Sequence, residues 1–110
     1  MGDRVGAVFA ALADPSRRYV VERLASLGRA TPTELAGELP MTRQAVAKHL
    51  ATLELAGLVH SRREGRNTVY RPDPTPLRDA TAWMERVGAE WDDRLAALAR
   101  HVAEHGAPGR

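Results

Sequence analysis

The chain has 110 residues, with 16 Lys and Arg against 14 Asp and Glu, and it contains no cysteine. That length suits one domain with a small core, which gains from dimerisation; the missing cysteines exclude disulfides, thiolate metal sites and a cysteine nucleophile. No apolar run reaches membrane-spanning length, and the N-terminal apolar stretch is too short and interrupted for a secretory signal, so the expectation is a soluble cytoplasmic protein with no membrane partner.

A first short helix is expected over Val5–Ala13, with Val5, Val8, Phe9 and Leu12 on one stripe. Asp14 is placed to cap a second helix that has Pro15 at its first position and runs to Leu27, where Gly28 stops it. Val20, Val21, Leu24 and Leu27 are its candidate core residues. Thr31 caps a third helix, Pro32–Glu38, which buries Leu35 with Leu39 following it. Leu39-Pro40-Met41 is a turn, and Thr42 caps a fourth helix that reaches Ala56 before Gly57. Two short helices joined by a turn of this length have helix-turn-helix geometry.

The fourth helix carries the most information. At 100° per residue, Val46, Leu50 and Leu53 share one stripe, and Gln44 and Lys48 fall almost opposite with Ala51 beside them. One face therefore suits a core. The other offers an amide that can pair with adenine and a cation for guanine or phosphate. By itself the helix reads equally well as an ordinary amphipathic surface helix. The sequence on either side shifts the balance, although a basic segment by itself also reads as a solvated charged face. Residues 1–40 are net zero, residues 41–71 are net +4, and residues 72–105 are net −3. The positive charge falls where a polyanion would be met.

Val59–Glu64 and Thr68–Arg71 read as two strands joined at Gly65-Arg66-Asn67, with Val59 and Tyr70 facing inward and Pro72, Pro74 and Pro76 ending the sheet. From Leu77 to His105 the pattern is helical again. Leu77, Met84, Trp91 and Leu98 recur every seven residues, Ala80 and Val87 fill intermediate positions, and Leu95 and Val102 continue the stripe. Such a stripe needs a partner. Part of it packs on this chain's own core, and the remainder points to a second copy. Residues 106–110 read as a loose tail.

Leu12-Ala13-Asp14-Pro15-Ser16-Arg17-Arg18, Thr33-Glu34-Leu35-Ala36, Gln44-Ala45-Val46-Ala47-Lys48-His49-Leu50, Leu53-Glu54-Leu55-Ala56-Gly57-Leu58-Val59 and Arg63-Glu64-Gly65-Arg66 occur in this order. Together they resemble the ArsR/SmtB family of transcriptional regulators. The resemblance implies a mainly α fold with a small β-hairpin, a winged helix-turn-helix over residues 1–105, and a homodimeric repressor of double-stranded DNA. Thr42, Arg43, Gln44, Ala45, Lys48, His49 and Thr52 would then meet DNA from the fourth helix, and Arg62, Arg63, Arg66 and Asn67 from the wing. Val5, Phe9, Leu77, Met84, Val87, Trp91, Leu95 and Leu98 would form the dimer interface.

Many family members sense metals through cysteines on the third helix, where this chain has none. Others use Asp, His and Glu on the last helix. Asp79, His101, Glu104 and His105 lie there, and His101 and His105 share a face, but the pair sits at the helix end and reads first as solvent-exposed. The expectation is no metal and no cofactor. Trp83 and Trp91 read as aromatic packing before they read as the wall of a small-molecule inducer pocket.

Two other function classes fit the sequence less well. A protein-interaction module using the long last helix would not need the +4 segment. An enzyme is disfavoured because His49 and His60 look isolated, and neither Ser16 nor Ser61 has an evident base. Among DNA binders, a MarR-type winged helix is the nearest competitor, though those chains are usually longer.

Overall fold

A computed structural model describes residues 3–105, so the proposed loose tail at 106–110 lies outside the described residues. Each helix begins where a side-chain oxygen can satisfy an otherwise orphaned backbone N–H. The Asp3 carboxylate accepts from Gly6 N–H at 2.8 Å ahead of α1 (Arg4–Leu12), and Asp14 accepts from Ser16 N–H at 2.8 Å ahead of α2 (Pro15–Leu27). At α3 (Pro32–Ala36) the cap is reciprocal. Glu34 N–H donates to Thr31 Oγ1 at 3.1 Å, and Thr31 N–H donates to Glu34 Oε1 at 2.8 Å. Thr42 accepts from Ala45 N–H at 3.1 Å ahead of α4 (Arg43–Leu55). Asp73 accepts from Thr75 N–H at 2.9 Å at the start of α5 (Thr75–His105).

Three expected boundaries move. α3 ends two residues early: Gly37 N–H closes the last helical bond, to Thr33 O at 3.1 Å, whereas Glu38 N–H tightens onto Leu35 O, three residues back, at 3.0 Å, so the connection to α4 is longer than the expected turn. α5 starts at Thr75, not Leu77, because Asp73 captures the Thr75 N–H; Pro76 lies inside the first turn, where a missing N–H is tolerated, and does not end the sheet. The hairpin loop is two residues, not three. Strands β1 (Val59–Glu64) and β2 (Asn67–Pro72) pair antiparallel, with Glu64 opposite Asn67 and Val59 opposite Pro72. Positive φ occurs at Gly65 (63°) and at no non-glycine residue among those described, so Asn67 is a ladder residue and not a turn residue. Positive φ only at the first central residue is the pattern of a type II′ turn.

A bridge absent from the sequence reading ties the hairpin to the α2–α3 connection. Ala30 N–H donates to Tyr70 O at 3.0 Å, and Tyr70 N–H donates to Ala30 O at 2.8 Å.

The described residues fall into two compact units, one ending at Ala80 and the other beginning at Thr81. The first holds the core. Val8 of α1, Val20 and Leu24 of α2, Leu35 of α3, Val46, Leu50 and Leu53 of α4, and Val59 of β1 are all buried. The α4 stripe therefore faces inward as its periodicity requires. Leu27 does not join this core. It is 37% exposed because α2 stops at Gly28 (φ 81°), and Ala30 beyond the turn is buried instead. Val69 is buried although alternation from Tyr70 puts it on the hairpin's opposite face. The second unit is the rest of α5, where Trp91 is 67% exposed. Among the described residues, no helix is long and apolar enough to cross a membrane.

Two leucines of α4 test this packing. Leu50 is fully buried and Leu55 is 90% exposed. Leu50→Ala should destabilise the fold by about 2–5 kcal/mol, and Leu55→Ala by less than about 0.5 kcal/mol. Urea unfolding of both variants measures the difference, and equal costs would contradict the orientation of α4.

Candidate nucleic-acid interface

Burying Val46, Leu50 and Leu53 leaves Arg43, Gln44, Lys48 and Ala51 exposed on α4. The hairpin register then decides which basic side chains come near them. Side chains alternate across a strand, and paired residues share a face. Arg63 pairs with Thr68 and so lies on the face of Val59 and Tyr70, whereas Arg62 pairs with Val69 on the opposite face. Arg63, Arg66, Asn67, Thr68 and Tyr70 of the hairpin, Thr31, Pro32 and Thr33 at the start of α3, and Arg43 and Ala47 of α4 line one groove of about 310 Å³. The structure thus brings Arg43, Arg63, Arg66 and Asn67 together and leaves Arg62 on the other side of the hairpin.

The remaining candidates on α4 differ in availability. Thr42 Oγ1 accepts the capping hydrogen bond from Ala45 N–H, and Ala45 is half-buried. The Thr52 hydroxyl donates to Lys48 O at 3.3 Å, so it is engaged within the helix. His49 is half-buried and lies close enough to Asp14 for their charges to interact. The Asp14 carboxyl is held below its ordinary value first by the Ser16 N–H, with Arg17 and more weakly His49 adding to the effect.

Sequence reasoning missed Thr31, Thr33, Thr68 and Tyr70 as groove residues. Thr31 was legible as a cap but not as a wall, because its position opposite the hairpin depends on the Ala30–Tyr70 bridge. Burial raises the Tyr70 phenol above its usual value, helped by the nearby Glu54 charge, so it stays a neutral donor beside the arginines.

The electrostatics of this surface are unbalanced. Among the described residues, Arg43, Lys48, Arg62, Arg63 and Arg66 have no acid within 4.0 Å, whereas Arg4, Arg17, Arg23, Arg29 and Arg71 each have one. Three like charges around one groove repel one another, and an anion placed there relieves that repulsion.

Away from the groove, His60 is not isolated as the sequence suggested. Its Nε2 lies 2.8 Å from Asp73 Oδ2. The Asp73 carboxyl is held at about 2, first by the Thr75 N–H and then by His60. The neighbouring Ser61 hydroxyl donates to Glu54 Oε2 at 2.8 Å, so it is not a partner for that histidine. On the last helix, His105 Nδ1–H donates to His101 O at 2.9 Å and the two rings stack at 4.1 Å. Asp79 is paired with Arg4 at 3.2 Å. Among the described residues, no group of three or more His, Asp or Glu is arranged to hold a metal ion.

Residues 12–62 match the model of a helix-turn-helix domain. The chain is 41% identical over 96 residues to the HTH-type transcriptional regulator Rv2034 of Mycobacterium tuberculosis, covering 87% of this chain and 86% of that one. It is also 41% identical to an ArsR-like transcriptional regulator of known structure from Rhodococcus sp. RHA1, with a TM-score of 0.80 over 88% of this chain and 91% of that one. The homodimeric winged helix-turn-helix DNA-binding domain of Mb0332 from Mycobacterium bovis is 30% identical, with a TM-score of 0.63 over 80% of this chain and 81% of that one.

The Asp73 carboxyl links pH to stability. Its folded value, about 2, lies below the ordinary 3.8, so its ionised form favours the folded state; that contribution is complete above about pH 4 and disappears as the pH falls through 2. Asp73→Asn keeps a capping oxygen but removes the titration. Its melting temperature should lie below the parent's at neutral pH, and the gap should close as the pH falls through and below 2. Parallel curves of melting temperature against pH, with a constant gap or none, would contradict this role.

Proposed function

Because the chain belongs to the ArsR family of helix-turn-helix transcriptional regulators, we propose that it binds an inverted-repeat operator as a homodimeric repressor, with α4 in the major groove and the hairpin as a wing on flanking phosphate. The observation that carries this reading is the groove that gathers Arg43, Arg63 and Arg66, none with an acid within 4.0 Å, beside a helix whose exposed side presents Gln44 and Lys48. The Gln44 amide is a bidentate partner for adenine, and Lys48 is a donor for guanine or phosphate. Small residues at Ala47 and Ala51 let the helix backbone approach the base edges. Arg43, Arg63 and Arg66 neutralise phosphate where the groove opens, with Thr42 and Asn67 as neutral donors beside them. Arg62, on the hairpin's other face, adds charge to the wing without lining the groove.

The second unit supplies the dimer in this proposal. Met84, Trp91, Leu95 and Leu98 are exposed on one chain, Val87 is half-buried, and Trp91, Leu95 and Leu98 border an apolar groove with Glu90 and Arg94. A single chain would leave this surface in water. We read it as covered by a second copy and not as an inducer pocket. Val5 and Leu77 pack partly on the chain's own core and Phe9 is 39% exposed, so of these three Phe9 offers the most surface to a second copy. Two-fold symmetry then spaces the half-sites about one helical turn, roughly 34–36 Å, apart. On this reading the functional domain is residues 1–105, the protein works in the cytoplasm, it catalyses no reaction, and neither metal nor cofactor is needed to bind DNA. A role as a protein-interaction module leaves the unpaired cations unexplained.

Base reading and phosphate binding separate experimentally. Gln44→Ala should cost roughly 1–3 kcal/mol on the preferred sequence and relax the choice at particular base pairs. Arg66→Ala should weaken all duplexes about equally and flatten the plot of log K against log salt by about 0.9. Titrations with a selected duplex at several salt concentrations distinguish the two effects; Gln44→Ala with unchanged affinity and preference refutes the assignment of this face.

Trp91→Ala tests the dimer. Removing a fully packed indole costs about 3–5 kcal/mol. Sedimentation should show the parent as a dimer and the variant largely as a monomer that keeps its helical signal. An unaltered tight dimer would exclude Trp91 from the interface.

A further inference from the structure

Glu64 is the only acid among residues 59–72, and it stands at the last rung before the Gly65-Arg66 turn. An anion so near the tip of a phosphate-binding wing opposes binding unless it is neutralised. Here it is neutralised twice. Glu64 Oε1 accepts from Arg29 at 2.6 Å, and Glu64 Oε2 accepts from Arg71 at 2.9 Å. Arg71, and then Arg29, hold the carboxyl below its ordinary value, so it is ionised at neutral pH.

The geometry gives these contacts a direction. Glu64, Asn67, Val69 and Arg71 share the hairpin face opposite Arg63, and Val69 lies between Asn67, the partner of Glu64, and Arg71. The Glu64–Arg71 pair therefore spans Val69, which is buried outside the main core cluster. Arg29 precedes Ala30, whose two backbone bonds hold Tyr70. One carboxylate thus joins β1, β2 and the α2–α3 connection from the hairpin's far side, while Arg63 and Arg66 line the groove.

Resting on the DNA-binding reading above, we infer that Glu64 is a positioning residue for that binding: it withdraws Arg29 and Arg71 from the charge available to DNA and pins the hairpin so that Arg63 and Arg66 meet phosphate in register with Gln44. Glu64 makes no contact with DNA. Its effect is on discrimination. With the clamp intact, phosphate contacts form only where the bases also suit α4. With the clamp broken, two released arginines and a looser wing bind any duplex.

The test compares a short duplex that the parent protein enriches from a randomised pool with a scrambled duplex of the same composition, each titrated across a salt series. Glu64→Gln keeps the shape and removes the charge. Its preference for the enriched duplex should fall about tenfold, and its salt slope on the scrambled duplex should steepen by up to about 2 as the two arginines join the contacts. The triple variant Arg29→Gln/Glu64→Gln/Arg71→Gln should return the slope to the parent value without restoring preference. If Glu64→Gln does not fold, Arg29→Gln removes one arm through a half-exposed side chain; preference should fall with the slope unchanged, and unaltered preference overturns the inference. Unchanged preference and slope in a folded Glu64→Gln overturn it as well. So does a purely structural result, in which melting temperature falls and both duplexes weaken equally with the parent slope. A parent protein that binds neither duplex overturns the DNA-binding reading itself, and the inference with it.

Discussion

The burial of Val46, Leu50 and Leu53 sets the rotation of α4, and the candidate interface depends on that rotation. One residue of slip turns a helix by about 100°. Such a turn would carry Glu54, or His49 and Thr52, toward the core, where an unpaired charge or a polar group without partners costs several kcal/mol. The apolar stripe and the polar face therefore support a single azimuth. Thr42 adds the axial position, because its side chain caps the helix and determines where the first exposed residues, Arg43 and Gln44, emerge. The core and the reading face are two consequences of one spacing.

The hairpin repeats this logic with a period of two. Pairing Val59 with Pro72 and Glu64 with Asn67 assigns each side chain to a face, and a two-residue turn admits no other register without moving Val59 out of the core. Gly65 makes the turn possible, since it takes a positive φ that costs a side-chain-bearing residue more. Neighbouring arginines thereby acquire different surroundings. Arg63 shares a groove with Arg43, and Arg62 lies on the opposite face. The Ala30–Tyr70 bridge then places the hairpin against the start of α3, which makes the groove a feature of three chain segments.

The charges divide by function as well as by position. Arg4, Arg17, Arg29 and Arg71 sit on acids that join one element to another or cap a helix, and pairs this exposed add little stability individually. Arg43, Arg63 and Arg66 around the groove, and Lys48 on the exposed side of α4, have no such acid partner. Leaving them unpaired is a modest cost to the free protein and a gain once a polyanion arrives. The acidic stretch of residues 72–105, net −3, carries the apolar stripe of α5, so the proposed dimer surface and the basic segment differ in the sign of their charge.

Much of the fold was legible in the residues alone. Caps at Asp14, Thr31 and Thr42, the stop at Gly28, the inward stripe of α4 and the existence of the hairpin all follow from interactions within one or two turns of chain, and local rules suffice for those. The family followed from motifs of the same short range, and the proposed reading face rests on them too. Contacts between segments far apart in the chain were not legible. Arg62, Arg63 and Arg66 look alike in sequence and separate only when the ladder pairs Arg62 with Val69 and Arg63 with Thr68. His60 looked isolated until the chain brought Asp73 beside it, and Thr31 and Tyr70 became groove walls only through the Ala30 bridge. Local spacing determines which face of an element is buried, because the backbone period links neighbours directly. Which side chains meet across elements was decided by register and packing, because those depend on how distant segments share one core.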